Sequence, residues 1–365
     1  MSFESGSVTF RMFYLPQQLP ADYVERFRAR AAPPLDTLGA ESIHGWVTGR
    51  HQLDRDITTE TAHYAGYLRM TLMRAERKVP ESLVRAECRM EELARMNAEG
   101  RQEIDRRTRS EIRKEVHERL QVHAQPQING MSIVWIPGSN MLLAEATSEK
   151  QLDALEAAWR ETMGMGFFPF GPACAAELHA KVYVHALRST SFSPDCDDDA
   201  SGNSIGEDFL TWLWFSSESR DGMANLKAGT FGYMLQGPLI LSSEGQGAHL
   251  IGLKNGSPEI SAEAKIALLS GKKLSRARLI LARGKESWAT TIDADQFVFR
   301  GMKLPEGEKL DPVSRFQERM LSIGTFTDAF FELYDRFLRE RVDADVWKKT
   351  QAEIHQWVTD RQARK

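Results

Sequence analysis

Positive charge without a negative counterpart is concentrated in residues 272–285. The segment contains no acidic residue and six cationic ones, Lys272, Lys273, Arg276, Arg278, Arg283 and Lys285. Side chains alternate between two faces in an extended strand. Leu279 and neighbours at odd positions would then pack on a core, while Arg276 and Arg278 face the other way. Such a face can hold a phosphate backbone without reading bases. The alternative is a solvated sheet face whose arginines pair with carboxylates on adjacent strands.

Two further basic clusters lie in the first third of the chain. Arg69, Arg74, Arg77 and Lys78 precede Pro80, and an ordinary basic turn is the alternative to a phosphate contact there. Residues 101–119 are rich in arginine, but glutamate and aspartate are interspersed. Ion pairs four residues apart on a solvated helix explain this second cluster well.

An acidic segment, residues 193–208, raises the possibility of a metal site. Its polar residues at positions 1, 3, 5, 6 and 12 of an EF-hand-like loop are Asp197, Asp199, Ser201, Gly202 and Asp208. Ser204 occupies position 8, where an apolar residue is expected, and no helix is predicted before Asp197. A disordered acidic loop is therefore the simpler interpretation, and we predict no metal ligands.

No motif for covalent chemistry is present. Gly271-Lys-Lys-Leu-Ser275 lacks the earlier glycine of a phosphate-binding loop, because Ile266 stands at that position. The sequence has neither an H-E-x-x-H pair nor a G-x-S-x-G elbow. We therefore expect no catalytic residues, no cofactor and no enzymatic activity.

Composition is typical of a soluble globular protein of more than one domain. The chain has 365 residues, 42% of them hydrophobic, and a formal net charge of -4. Binding to nucleic acid would therefore require a local concentration of lysine and arginine. The three cysteines form no C-x-x-C pair, and neither a signal pattern nor an 18-residue apolar run is present. We expect a cytoplasmic protein with no membrane partner.

The elements that would position these residues follow from periodicity. Residues 7–15 and 64–73 are predicted strands, and residues 20–30 form a predicted helix. Pro80 suits the first turn of a long helix that ends at Gly100. Its predicted apolar stripe is Leu83, Ala86, Met90, Leu93 and Asn97. A second helix has Ile104, Thr108, Ile112, Val116 and Leu120 on one face. Together they predict a projecting helical hairpin.

The rest of the chain returns to mixed structure. A β-hairpin is predicted over residues 132–136 and 141–146, followed by a helix over residues 149–163 that Ser148 caps. After the acidic segment, the aromatic run 207–215 is expected to be buried. Strands are predicted at 231–242, 248–254, 274–283, 287–292 and 297–302, with helices at 261–270 and 312–362.

The order of these segments resembles the recombination-associated RdgC family. The strand Gly66–Met73 leads through Arg74-Ala-Glu-Arg-Lys-Val-Pro80 to the helical hairpin, and the chain returns to a sheet at Met131–Ile136. The run Ile205-Gly-Glu-Asp-Phe-Leu-Thr-Trp-Leu-Trp214 is similar to one in longer family members. The resemblance is best over residues 10–164, fair over 260–338 and poor over 172–256.

This resemblance implies an α+β fold. A sheet domain (residues 1–78 and 126–175) would carry the helical hairpin (79–125) as an insertion. A second, mixed α/β domain with antiparallel strands (176–310) would contain the acidic loop 193–208, and residues 311–365 would form C-terminal helices.

The resemblance also implies a sequence-independent binder of duplex DNA. Two subunits would encircle or coat DNA as a ring-shaped homodimer, associated with the nucleoid, and would limit access for RecA. The expected DNA-binding residues are Arg74, Arg77, Lys78, Lys272, Lys273, Arg276, Arg278 and Arg283. Leu120, Val122 and Gln125 are the expected dimer contacts, although Gln125 stands where family members have an aromatic residue.

Two other functions fit the sequence. The helical hairpin can belong to a structural or protein-binding module, of phage origin for example, and the acidic loop can belong to a metal-dependent phosphohydrolase. DNA affinity that falls steeply as salt rises would favour duplex DNA binding over both of these alternatives.

Overall fold

The fold is α+β, with one large sheet and helices on both of its faces. The computed structural model describes residues 3–100, 102–198, 204–243, 250–308 and 310–360. Its strands are β1 (Val8–Tyr14), β2 (Ile43–Thr48), β3 (His63–Tyr64), β4 (Tyr67–Arg77), β5 (Pro126–Trp135), β6 (Met141–Ala144), β7 (Phe168–Pro169), β8 (Met223–Leu226), β9 (Gly229–Ser242), β10 (Leu250–Leu253), β11 (Lys273–Arg283), β12 (Glu286–Asp293) and β13 (Val298–Lys303).

The helices lie between and after these strands. They are α1 (Tyr23–Ala29), α2 (Thr59–Ala62), α3 (Glu81–Glu99), α4 (Arg106–His123), α5 (Glu149–Met163), α6 (Pro172–Ala175), α7 (Ile205–Ser219), α8 (Ala262–Leu269), α9 (Pro312–Val342) and α10 (Ala344–Asp360). Within the described ranges, no helix combines the length and the apolar character needed to cross a membrane.

Strand β1 joins two halves of the sheet. The strand order is β10-β9-β11-β12-β13-β1-β6-β5-β4-β2, and the neighbours pair antiparallel. β1 pairs with β13 through Phe10 and Phe299 and with β6 through Arg11 and Ala144. The strands that the sequence assigned to two separate domains therefore form one continuous sheet.

Helices α1 and α5 cover the half that contains β2, β4, β5 and β6. Phe27 of α1 and Trp159 of α5 pack with Trp46 of β2, and the Trp46 indole N–H donates to Thr162 Oγ1 over 2.8 Å. The predicted bounds of α5 are confirmed, and the Ser148 hydroxyl accepts from the Gln151 backbone N–H. This layer lies on the side of β1 to which Phe13 points.

The second core lies on the opposite side of β1, the side of Val8 and Phe10. There α7 and α9 pack on strands β9–β13, and the aromatic run that was expected to be buried is part of α7. Phe209 of α7 contacts Phe297 and two rings of α9, Phe330 and Tyr334. Because the described helices that pack on β11–β13 lie on this side, the other side of these strands is open between β9 and the first turn of α5 in the described part of the chain.

The helical hairpin is inserted between two paired strands. β4 and β5 remain in register to their ends, with Arg77 opposite Pro126, and α3 and α4 pack mainly on each other. Ile112 and Val116 are buried, as predicted for α4. The predicted stripe on α3 is wrong, because Val84 packs inward while Leu83, Met90 and Leu93 are 43%, 61% and 44% exposed.

Candidate nucleic-acid interface

The predicted alternation of the basic strand is present in β11. Ala277, Leu279 and Leu281 are fully buried against the helices. Arg276 and Arg278 are partly exposed and lie on the open side of the sheet, opposite Asp293 and Thr291 of β12. The strand therefore places two guanidinium groups two residues apart on a surface that no described helix covers.

These two arginines differ in their charge partners. Arg276 Nη2 lies 2.6 Å from Asp293 Oδ2. The Arg278 side chain makes no hydrogen bond or ion pair with any residue in the described ranges. Hence Arg278 is a guanidinium on this strand whose donors are all left for an external anion.

Two more arginines that the sequence did not indicate lie on the same side of the sheet. Arg300 of β13 has its Nη2 3.9 Å from Asp293 Oδ2 and donates to the Thr147 carbonyl over 3.2 Å. Arg11 of β1 is buried beside Gln296 and the first turn of α5. The signal for Arg11 was a charged residue at the centre of the apolar strand Val8–Tyr14.

Lys272 and Lys273 do not belong to this surface, which corrects the sequence-based prediction. Lys273 is 1% exposed, and its Nζ lies 2.7 Å from Asp208 Oδ1 in the core. The register of β11 against β9 shifts after Leu274, so the alternation breaks there. Lys272 is also buried and donates to Ser243 Oγ over 3.1 Å. A DNA phosphate cannot reach Lys273 in this arrangement.

Arg283 lies on the helix-covered side of the sheet rather than beside Arg276 and Arg278. It packs over the rings of Phe231 and Trp288 and pairs with Glu286, with Arg283 Nη2 2.7 Å from Glu286 Oε2. Its Nη1 also donates to the Ala228 carbonyl over 3.0 Å. These contacts account for Arg283 as a packing residue, so we leave it out of the interface.

The basic turn before Pro80 also contains both accessible and structural basic residues. Arg74 is exposed and points to the same side of the sheet as Met70 and Leu72, and its Nη2 lies 2.8 Å from Glu76 Oε2. Arg77 donates to the carbonyls of Leu38 and Ala124, over 3.3 and 2.5 Å, and thereby fixes the end of α4. Lys78 is exposed. Arg74 and Lys78 are therefore accessible, whereas Arg77 is a structural tie.

The arginines of the helical hairpin are largely neutralised. Besides pairs within α4, such as Arg107–Glu111, four pairs link the two helices: Arg95–Glu115, Arg109–Glu92, Arg113–Glu81 and Arg119–Glu87. The pairs within a helix were predicted, and those between helices were not.

The expected dimer contacts lie at the base of the hairpin. Val122 is 69% exposed and Gln125 is exposed, whereas Leu120 is half-buried. Val122 lines a groove of about 300 Å³ together with Leu38 and Gly39. The position is thus open to a partner, and the dimer remains a prediction.

The described part of the acidic loop does not bring metal ligands together. Asp208, at its twelfth position, lies in the core on α7, where Lys273 pairs with it and Arg341 Nε lies 3.8 Å away. Asp199, Ser201 and Gly202 lie outside the described residues. Asp198 accepts hydrogen bonds from Ser191 N and Gln351 Nε2, both over 2.7 Å. In the described ranges, no three His, Cys, Asp or Glu side chains converge on a metal position.

Two carboxyls at the start of α7 have raised pKa values. Burial raises the pKa of Glu207 to about 7, although a hydrogen bond from Ser242 opposes the shift. Burial also raises the pKa of Asp208, against the attraction of Lys273 and Arg341. Asp208 lies in the core and Glu207 is half-buried beside Ser242, so these shifts concern stability rather than a reaction.

Comparison with known proteins agrees with the resemblance seen in the sequence. Residues 12–183, just under half of the chain, match a family model described as "RdgC: Putative exonuclease, RdgC". No curated protein matches the chain. The match contains the strand, basic turn and helical hairpin, and it ends before β11. Residues 12–183 of the chain are therefore similar to the RdgC family.

Proposed function

We propose that this protein binds duplex DNA without sequence preference and contacts the phosphate backbone through the open side of β11–β13. The observation that carries the proposal is Arg278, a guanidinium beside Arg276 on an open sheet surface with no carboxylate partner among the described residues. Guanidinium groups bind phosphate oxygens through paired N–H donors. Nothing on this surface resembles a base-reading element, which fits binding that depends on charge.

The charge distribution supports this assignment despite the net charge of -4. Arg11, Arg276, Arg278 and Arg300 share the open side with a single strand carboxylate, Asp293. Arginines of the hairpin pair with carboxylates, and Arg220 at the end of α7 pairs with Glu340 of α9. A protein of negative total charge can hold a polyanion when its unpaired cations share one surface.

The test is the variant Arg276→Ala with Arg278→Ala. Duplex binding should weaken about equally for unrelated sequences, and the slope of log affinity against log salt should fall by roughly 1–2, because each phosphate contact contributes roughly 0.9. The matched control is Lys348→Ala with Lys349→Ala, which removes the same charge from the exposed side of α10. Unchanged affinity in a folded Arg276/Arg278 variant would reject the interface.

We further propose that the protein acts as a homodimer on nucleoid DNA and that duplex it occupies is less accessible to RecA. Val122 and Gln125 at the base of the hairpin are the proposed subunit contacts, since both are exposed beside the groove at Leu38. Val122→Asp should convert a dimer into a monomer in light scattering. A strand-exchange assay should show less inhibition by this variant than by the parent protein.

A protein-binding role of the hairpin is a second candidate, and the exposed side of α3 favours it. Leu83, Ala86, Met90, Leu93 and Asn97 are all exposed and recur at alternating intervals of three and four residues. This spacing is typical of a coiled-coil seam, so the complementary surface is another helix. We assign the hairpin of a second copy as the partner.

The variant Met90→Lys with Leu93→Lys tests this assignment. Both side chains face solvent, so the monomer should keep its fold while the solution mass falls to that of one chain. The control, Arg85→Lys, changes an exposed residue of α3 outside the stripe. A solution mass that stays at two chains would exclude the stripe as the subunit contact.

A further inference from the structure

The seam between the two halves of the sheet contains three arginines that converge from different strands. Arg11 lies on β1, Arg276 on β11 and Arg300 on β13, and all three point to the open side. The loop before α5 borders this cluster, because Arg300 Nη2 donates to the Thr147 carbonyl over 3.2 Å. Both halves of the chain thus contribute to one cluster, and its residues 276–300 lie beyond the part that matches the family model.

Positive charge exceeds negative charge in this cluster. Asp293 Oδ2 is 2.6 Å from Arg276 but 3.9 Å from Arg300. Arg11, whose side chain is 3% exposed, has its Nη1 3.9 Å from Glu149 Oε1, and the Glu149 side chain is 76% exposed. The close partner of Arg11 is the neutral Gln296 amide oxygen. Three guanidinium groups therefore share one close carboxylate.

Each of these arginines also retains an unused donor. The Nε atoms of Arg11, Arg276 and Arg300 are buried and have no hydrogen-bond acceptor among the described residues. A buried donor without an acceptor is costly, and a buried charge without a counter-ion is more so. Burial accordingly lowers the pKa of Arg11, although Glu149 and Asp293 oppose the shift. An anion with several acceptor oxygens would satisfy these donors and balance this charge.

We propose that Arg11, Arg276 and Arg300 form a site for one phosphate-sized oxyanion at the seam of the sheet. A tetrahedral oxyanion offers acceptors to several guanidinium groups at once, which a single carboxylate cannot do. The exposed Glu149 carboxylate occupies the approach to Arg11, so the incoming anion displaces it. The bound anion then ties β1, β11 and β13 together. This site goes beyond the proposed DNA interface, since it binds a discrete ion and stabilises the fold.

Inorganic phosphate is the probe, added to the full chain at constant ionic strength with chloride as the reference. The midpoint of thermal unfolding should rise with phosphate and saturate, and calorimetry should give a matching dissociation constant. Arg300→Gln should weaken phosphate binding at least tenfold, and Glu149→Gln should strengthen it severalfold. Lys285→Gln, an exposed residue of the β11–β12 turn, is the charge-matched control.

The result that overturns the site is equal stabilisation by phosphate and chloride in the parent protein, or saturation that persists in Arg300→Gln. Arg11→Gln is a weaker test, because removal of a buried side chain can unfold the protein. Arg300→Gln avoids this difficulty since Arg300 is about one-third exposed. Saturable stabilisation lost in Arg300→Gln and kept in Lys285→Gln supports the site.

Duplex DNA in the same assays separates this inference from the proposed function. If DNA binding does not depend on Arg278 but phosphate binding is saturable, the proposed DNA interface is rejected and the seam site is supported. If the Arg278 variant loses DNA binding but phosphate has no effect, the seam site is rejected and the DNA interface is supported. If saturating phosphate also lowers duplex affinity at constant ionic strength, the ion at the seam stands for a backbone phosphate; if it does not, the ligand is a free oxyanion.

Discussion

Asp293 Oδ2 lies 2.6 Å from Arg276 Nη2, and it is the close carboxylate on the open side of β11–β13. This pair sets the charge of the proposed interface, because Arg276 cannot offer that donor to a phosphate while Asp293 holds it. Register explains the contact, since Arg276 and Asp293 are directly opposite each other in the β11–β12 ladder. A carboxylate at this position should also repel a polyanion.

Asp293→Asn should therefore raise duplex affinity by severalfold and steepen its salt dependence. The substitution keeps the shape of the side chain but removes one negative charge beside Arg276 and Arg300. Fluorescence anisotropy with labelled duplex over a range of salt concentrations measures both quantities. The control is Glu286→Gln, which removes the partner of Arg283 on the covered side. Equal or weaker DNA binding by Asp293→Asn would count against the open side as the interface.

Lys273→Met should unfold or strongly destabilise the protein. Its ammonium is buried against Asp208, and removal of one member of a buried pair leaves an uncompensated charge, at a cost of about 3–5 kcal/mol. Urea denaturation followed by tryptophan fluorescence gives the free energy of unfolding. Arg278→Ala, which also removes one cation from β11, should change stability by less than about 0.5 kcal/mol.

The same pair of variants separates structure from DNA contact. Arg278→Ala should lose DNA affinity while it keeps its stability. Lys273→Met should lose stability, and the fraction of it that stays folded should keep its DNA affinity. Normal stability of Lys273→Met combined with weak DNA binding would restore Lys273 to the interface.

The fold was predictable where local rules decide it. Ser148 fixed the start of α5, and the alternation of Ala277, Leu279 and Leu281 identified the buried side of β11. The errors arose where tertiary contacts override periodicity. On α3 the 3–4 spacing of Leu83, Met90 and Leu93 was taken for the core side, yet Val84 is the buried residue because α4 packs there.

The site was only half predictable for the same reason. Arg276 and Arg278 follow from alternation within one strand, but Arg11 and Arg300 join them through the pairing of β1 with β13, nearly 300 residues apart in sequence. Lys273 was misassigned because the partner that buries it, Asp208, lies on α7, far away in the sequence. Local patterns cannot indicate such long-range contacts or register.

Deletion of the helical hairpin should leave the sheet folded. β4 and β5 stay paired up to Arg77 and Pro126, so a two-residue turn in place of residues 79–124 closes an ordinary β-hairpin. Circular dichroism should show a loss of helix only, with cooperative unfolding retained. The deletion should keep salt-dependent DNA binding and lose the dimer. Loss of cooperative unfolding would mean that the hairpin contributes to the core after all.

The stability of the protein should fall as pH rises through about 7, because of Glu207. Burial raises its pKa from 4.5 to about 7, so the folded state holds a proton there that the unfolded state has released. Its contribution is complete below pH 4.5 and disappears as the carboxyl ionises near pH 7. Each pKa unit corresponds to about 1.4 kcal/mol, which partial exposure to solvent reduces.

Glu207→Gln keeps the neutral form and should flatten the decline in stability between pH 5 and 8, measured from urea midpoints. Glu263→Gln, at an exposed position of α8, is the control. An unaltered pH profile in Glu207→Gln would show that Glu207 is already ionised in the folded protein.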